Sequence, residues 1–194
     1  DNGKFGKAFS FDGDRDYVEV SNLDTSFNRT LGVWIKIAEE DTGSDWHVIL
    51  GDLSFSGTQG TESGVTFAYR SDNLIGRIAN SSNNFILSQD ILVNNPIIGQ
   101  WYHLAVSQNA TNTFYVVDGV IKDTGLSGGG IDGGRNFQIG SAGGLTRYFN
   151  GSIDEVMVFN RSLSASEILS LYNATRDSHI ESGLADGSHS LMSY

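Results

Sequence analysis

The strongest constraint on the fold is a succession of short, apolar-alternating segments, separated by turn residues, through most of the 194 residues. In residues 31–37 the odd-numbered positions are Leu, Val and Ile and share one strand face, whereas Trp34 lies on the other. Similar strands are predicted at residues 9–11, 17–20, 47–51, 64–70, 74–80, 84–87, 100–107, 113–118, 120–123, 136–140 and 151–159. A dozen evenly spaced strands with almost no helix favour an all-β fold, an antiparallel two-sheet jelly-roll β-sandwich.

Two local signals mark a turn and a helix. Asp118-Gly119 stands between apolar strands and predicts a type I′ hairpin, in which both central residues have positive φ. Ser164 and Glu167 have the spacing of a capping box and predict the start of one short C-terminal helix. The apolar side chains of this helix share one face, so we expect it to cover one edge of the sheet.

The sequence divides into a sandwich domain at residues 1–175 and a polar tail at residues 176–194. The tail has too few large apolar residues to fold alone. Residues 183–194 resemble the opening of a bacterial or archaeal Ig-like repeat, which suggests a linker to the next module of a longer surface protein. Alternatively, residues 188–194 add to the sandwich as an edge strand.

Charge and composition exclude several classes of partner. The net charge is −11, with 12 basic against 23 acidic residues, and such a surface repels nucleic-acid phosphates and anionic membranes. Cysteine is absent, which excludes disulfides and thiolate chemistry. No apolar stretch is long enough for direct membrane insertion as a helix.

Four segments, in order, resemble a laminin-G-like domain of the concanavalin A-like lectin/glucanase superfamily. They are Gly6-Lys-Ala-Phe-Ser-Phe-Asp-Gly-Asp-Arg-Asp-Tyr-Val-Glu-Val20, Leu31-Gly-Val-Trp-Ile-Lys36, Gly99-Gln-Trp-Tyr-His-Leu-Ala-Val106 leading to Phe114-Tyr-Val-Val-Asp-Gly119, and Phe149-Asn-Gly-Ser-Ile-Asp-Glu-Val-Met-Val-Phe-Asn-Arg-Ser-Leu-Ser164 with the helix that follows. The match in order and spacing covers residues 4–174. The resemblance implies a jelly-roll sandwich, an extracellular or cell-surface location and frequent calcium binding.

A cluster of carboxylates is the candidate metal site. Asp12, Asp14 and Asp16 lie within five residues on a glycine-containing turn, where carboxylate oxygens suit Ca²⁺. The resemblance places a cation beside this loop, with Asp12 and Asp16 as the residues that match the family pattern. It also makes the first and last strands neighbours, so Asp154 is expected to join the site. The alternatives are a simple acidic turn and, for Asp154, a carboxylate that ties its strand to a loop.

Catalysis is not predicted. Resemblance to a glucanase of this fold would imply a strand with an E-x-D-x-E pattern, which places alternating carboxylates on one face. The corresponding strand here has Asp154 and Glu155 next to each other, and positions four residues from Glu155 are Gly151 and Phe159. Carboxylates from different strands remain an alternative.

Aromatic residues in polar loops are the candidate ligand-binding residues. Trp46 follows a polar loop, and Tyr148 stands beside Arg147 after a glycine-rich turn, so these three are predicted to contact a sugar. The alternative is loop packing. Trp34 and Trp101 are expected in or near the core, with His103 as a satisfied residue of the sandwich.

These features favour a non-catalytic extracellular binding or adhesion module for a carbohydrate or glycoconjugate, stabilised by calcium and joined to neighbouring domains. A structural spacer or assembly subunit is the second interpretation. A glycan-active enzyme is the third.

Overall fold

The computed structural model describes residues 2–21, 23, 28–41, 43, 45–52, 64–79, 85–126, 136–141 and 147–176. Within these ranges the strands are β1 (Phe9–Asp12), β2 (Val18–Val20), β3 (Arg29–Ile37), β4 (His47–Gly51), β5 (Gly64–Arg70), β6 (Asn73–Ala79), β7 (Phe85–Asn94), β8 (Trp101–Gln108), β9 (Asn112–Val117), β10 (Val120–Leu126), β11 (Phe137–Ile139) and β12 (Asn150–Phe159). The one described helix, α1, spans Ala165–Arg176. Of the predicted tail at residues 176–194, Arg176 is the last residue of α1, and residues 177–194, including the predicted edge strand, lie outside the described residues.

The strands form two six-stranded antiparallel sheets. The first has the order β1-β12-β3-β8-β9-β10 and the second the order β2-β11-β4-β5-β6-β7. The prediction of a two-sheet jelly-roll sandwich is therefore confirmed. The connections β1–β2, β3–β4, β7–β8 and β11–β12 cross between the sheets at the same end of the molecule.

The core fills the space between the sheets. The inner residues of β3 alternate as predicted, and Leu31, Val33, Ile35 and Ile37 are all buried. The ring of Tyr115 on β9 lies against Gly76 on β6, where a Cβ atom would approach the ring to 2.5 Å. Any larger residue at this position would push the two sheets apart.

One strand is longer than the sequence predicts. β7 extends over Phe85–Asn94, beyond the expected residues 84–87. Its pairing with β6 shifts register at three places. Such irregularities break the period-two alternation by which a strand is recognised, which explains the underestimate.

The capping box and its helix are confirmed, but the predicted position at a sheet edge is wrong. Ser164 Oγ accepts from the Glu167 N–H at 3.3 Å, and the Ser164 N–H donates to Glu167 Oε2 at 2.8 Å. The helix packs on the outer face of the first sheet, where Ile168 joins Ala105 of β8 and Val116 of β9. The helix takes this position because the central strands β8 and β9 carry apolar residues on their outer faces.

The Asp118-Gly119 hairpin forms as predicted, with φ values of 48° and 76°. Beside it, His103 is buried between the rings of Trp34 and Tyr172, at centroid distances of 5.3 and 5.8 Å. The predicted place of His103 inside the sandwich is confirmed, and among the described residues neither of its ring nitrogens has a hydrogen-bond partner. Burial among aromatic rings lowers the pKa of His103 to about 4.

Among the described residues, no helix is long and apolar enough to cross a membrane.

Candidate functional site

The three predicted ligand-binding residues meet in one cleft. Trp46, Arg147 and Tyr148 line it together with Gly13, Asp45 and His47, and its volume is about 420 Å³. The cleft lies at the end of the sandwich where the β1–β2, β3–β4 and β11–β12 connections converge. We call these six residues the Trp46 cleft.

Two hydrogen bonds between distant segments hold the walls of the cleft together. The Val48 N–H donates to the carbonyl of Arg147 at 2.8 Å. His47 Nδ1 lies 2.9 Å from the carbonyl of Tyr148 and donates to it, since a carbonyl oxygen can only accept. The start of β4 and the segment before β12 therefore form one unit.

Arg147 has an unusual backbone conformation. Its φ of 75° lies in the left-handed region, which a residue with a side chain adopts at a cost of about 1–3 kcal/mol. Its carbonyl accepts a hydrogen bond from the Val48 N–H, which ties this residue to β4. Strained residues of this kind concentrate at binding sites, which marks Arg147 as a candidate functional residue.

The Trp46 ring packs on apolar side chains of the second sheet and lies close to two arginines. The half-buried ring packs on an apolar cluster of Val48, Ala68 and Ile75 on the outer face of the second sheet. The guanidinium carbons of Arg70 and Arg77 lie 5.0 and 5.4 Å from the ring centre, in the range of cation–π contacts. The ring is therefore preorganised, which lowers the entropic cost of stacking it on a ligand.

A second, acidic pocket of about 180 Å³ lies on the other side of His47. It is lined by Glu39, Glu40, Asp41, His47, Tyr69 and Asn150. Asp41 Oδ1 lies 3.6 Å from His47 Nε2, and Asp41 Oδ2 accepts from the Ser71 N–H at 2.7 Å. His47 is thus held from both sides, by Tyr148 and by Asp41.

Tyr69 forms the inner wall of the acidic pocket. Burial, reinforced by the 2.7 Å hydrogen bond that its hydroxyl donates to Asp72 Oδ1, raises the pKa of Tyr69 to about 12. The hydroxyl therefore keeps its proton over the working range of pH and serves as a structural donor.

The structure does not bring the predicted metal ligands together. β1 and β12 are neighbours as expected, but Asp12 pairs with Asn150, and Asp154 lies four residues further along β12. At about 3.3 Å per residue, this separates Asp154 from the level of Asp12 by about 13 Å. The expectation that Asp154 joins Asp12 and Asp16 in one site is corrected.

Asp154 instead fulfils the alternative role of tying its strand to a loop. Its Oδ2 accepts from the Phe5 N–H at 3.0 Å, and its Oδ1 accepts from the Glu155 N–H at 2.9 Å. Glu155 stands in a register shift of β12, with a φ of 48°. The simple alternation that the sequence implied for this strand is interrupted there.

A three-carboxylate calcium site does not fit the described residues. No group of three His, Cys, Asp or Glu side chains within them is placed to hold a metal ion. At the 12–16 turn, Asp12 Oδ1 already accepts from the Asp14 N–H at 2.8 Å. Of the three predicted calcium ligands, only Asp12 and Asp16 lie in the same turn, and both are exposed. The calcium prediction now concerns these two residues alone.

Sequence reasoning missed His47 as a cleft residue and the arginines beside Trp46. Arg70 and Arg77 occupy outward positions of β5 and β6, and their alternation with Phe67, Tyr69 and Ile78 was visible. The missing information was which loop folds back over that outer face.

Comparison with known proteins identifies the family. The sequence model of the Laminin_G_3 family, described as the concanavalin A-like lectin/glucanases superfamily, matches residues 12–169. The chain belongs to this superfamily. No curated protein matches the sequence significantly.

Solved structures share the fold of this superfamily member. The binding domain of Paraclostridial Mosquitocidal Protein 1 superposes with a TM-score of 0.69 at 15% identity, over 89% of this chain and 44% of that one. Domain 4 of AbnA, a GH43 extracellular arabinanase from Geobacillus stearothermophilus, in complex with arabinotriose, superposes with a TM-score of 0.67 at 20% identity. The match covers 89% of this chain and 79% of that one. The botulinum neurotoxin serotype D ligand-binding domain in complex with N-acetylneuraminic acid superposes with a TM-score of 0.65 at 16% identity. The match covers 87% of this chain and 42% of that one. The superfamily member thus spans less than half of the toxin chains.

Proposed function

We propose that this chain is a non-catalytic carbohydrate-binding module of a larger extracellular or cell-surface protein, and that the Trp46 cleft holds the sugar. The observation that carries the proposal is that Trp46 meets the adjacent pair Arg147 and Tyr148, which is far from it in sequence, in one cleft. Sugar sites combine an aromatic face for the C–H side of a pyranose ring with polar groups for its hydroxyls. The cleft supplies both.

The superfamily and the nature of the similar structures support a binding role. Two of them are complexes with a sugar, arabinotriose in one and N-acetylneuraminic acid in the other. A binding module needs no catalytic carboxylate pair, and the E-x-D-x-E pattern of the glucanases is absent from this sequence. Attachment to neighbouring domains remains part of the proposal.

Calcium enters the proposal only at the 12–16 turn. With two carboxylates at most, an ion there would take its other ligands from backbone carbonyls and water. Sites with so few charged ligands in extracellular modules bind with Kd values of about 10⁻⁴–10⁻³ M. We therefore expect weak calcium binding next to the cleft, because Gly13 of this turn is one of the residues that line it.

A glycan array followed by calorimetry tests the proposal with a matched pair of variants. Trp46 and Trp101 are both half-buried and both have a cation near the ring, Arg70 at 5.0 Å and Lys36 at 5.1 Å respectively. Trp46→Ala should weaken binding at least tenfold, whereas Trp101→Ala, which lies outside the cleft, should leave it within twofold.

Equal losses in both variants, or binding that neither affects, would place the sugar elsewhere. Absence of any glycan binding by the wild-type chain, with calcium present, favours the structural spacer instead. Release of reducing ends from a bound glycan would favour the enzyme.

A further inference from the structure

We propose that the sugar held in the Trp46 cleft carries a carboxylate group. This inference rests on the proposed function, because it names the chemical class of ligand for the same cleft. Its basis is the distribution of charge around Trp46.

Positive charge is concentrated at this cleft in a protein that is otherwise strongly acidic. The net charge is −11, and only 12 of the 194 residues are Lys or Arg. Three of those 12 meet here, since Arg147 lines the cleft and the guanidinium groups of Arg70 and Arg77 lie 5.0 and 5.4 Å from the Trp46 ring. These distances are shorter than the Debye length of about 8 Å at physiological ionic strength, so the cations act on an anion beside the ring.

A cluster of negative charge lies on the other side of His47. Glu39, Glu40 and Asp41 line the acidic pocket there. Among the described residues that line the cleft, Asp45 carries a carboxylate, and Gly13 stands between the exposed Asp12 and Asp14. A bound carboxylate is therefore attracted toward Trp46 and Arg147 and repelled from the acidic pocket. This asymmetry orients the ligand along the surface.

The side chains of the cleft match the parts of an acidic sugar. A guanidinium group presents a planar pair of N–H donors that fits a carboxylate. The rings of Trp46 and Tyr148 suit the apolar face of a pyranose, and Asp45 can accept hydrogen bonds from its hydroxyls. A hexuronic acid and a nonulosonic acid such as sialic acid both combine these features.

The test compares acidic oligosaccharides with their neutral counterparts by calorimetry. One arm uses trigalacturonic acid against galactotriose of the same linkage, and the other uses sialyllactose against lactose. At least one acidic ligand should bind about tenfold more tightly than its neutral partner, with an advantage that shrinks as NaCl rises from 50 to 500 mM. The arm that gives the preference identifies the source of the carboxylate.

Variants that remove a positive charge show which residues cause the preference for acidic sugars. Arg147→Gln and Arg77→Gln should each reduce the ratio of acidic to neutral affinity, and the double variant should bring it to within about twofold of one. Lys122→Gln removes the same charge from an exposed position on β10 and should leave the ratio unchanged. Circular dichroism melts confirm that each variant is folded.

The outcomes separate this inference from the proposed function. Equal or tighter binding of the neutral sugars through Trp46 would overturn the inference and leave the proposed function standing. It would mean that Arg70 and Arg77 serve only to brace the ring. A preference for acidic ligands that survives the double variant would also overturn it. Failure of all four ligands and of a wider glycan array would overturn the proposed function itself.

Discussion

His47 and Tyr148 are joined by a hydrogen bond of 2.9 Å between the imidazole Nδ1 and a backbone carbonyl, although 101 residues separate them in sequence. The bond connects the start of β4 to the segment before β12. The adjacent bond between Val48 and Arg147 reinforces this connection. These two bonds hold the segments on which Trp46, Arg147 and Tyr148 stand in one cleft.

The first prediction concerns this bond. His47→Ala should lower the free energy of unfolding by about 1 kcal/mol, the usual net value of a hydrogen bond. It should also weaken sugar binding several-fold, because the segment with Arg147 and Tyr148 loses its anchor. His47→Asn keeps a donor near the same carbonyl and should recover part of both losses. Equal binding by His47→Ala and wild type would show that the wall is rigid without this bond.

The second prediction concerns pH and the buried His103. Its pKa is about 4 in the folded protein, below the ordinary value of 6.5. At pH values between these two pKa values, the histidine is protonated in the unfolded chain but not in the folded chain. The free energy of unfolding therefore falls as pH drops from about 6.5 to about 4. The loss is on the order of 3 kcal/mol, from the size of the shift.

Denaturant titrations of wild type and His103→Phe at several pH values measure this effect. Asp118, whose pKa is raised mainly by burial, acts in the opposite sense, because its protonation favours the folded state at low pH. Since Asp118 is present in both proteins, the difference between them isolates His103. The difference should grow as pH falls, and a constant difference would contradict the assignment.

The third prediction concerns the helix cap. Ser164→Ala removes the acceptor for the Glu167 N–H and should cost about 1 kcal/mol of stability. Ser164→Asp keeps an acceptor and a favourable charge at the helix N-terminus, so it should cost much less. Because Ile168 anchors the helix on the first sheet, both variants should keep the sandwich. Global unfolding of Ser164→Ala at room temperature would contradict this placement.

The strand pattern and the helix cap could be predicted because they depend on local periodicity and spacing. The Trp46 cleft could be predicted in part, since Trp46, Arg147 and Tyr148 stand out as aromatic and basic residues in polar loops. Arg70 and Arg77 could not, because a strand pattern shows that a side chain points outward but not which loop covers it. Asp154 was misplaced for a related reason. The sequence indicated that β1 and β12 are neighbours, but it did not indicate which residues of the two strands pair.

The fourth prediction separates calcium from Asp154. With a Kd of about 1 mM, 10 mM calcium should stabilise the wild type by about 1.4 kcal/mol relative to chelator. Asp16→Asn should lose this gain. Asp154→Ala should instead cost about 2 kcal/mol both in calcium and in chelator, because the Phe5 and Glu155 N–H groups lose their acceptor. Identical wild-type melting in both buffers would remove calcium from the account.

The central claim, that sugar binds at the Trp46 cleft, is tested most directly by the three tryptophan indole N–H signals in a ¹H–¹⁵N spectrum. Trp34 is bonded through its Nε1 to Thr175 under the helix, and Trp101 lies on β8 outside the cleft. Titration with a glycan that the array identifies should shift the Trp46 signal progressively and leave the other two in place. A shift of the Trp34 or Trp101 signal, with Trp46 unmoved at saturation, would contradict the account.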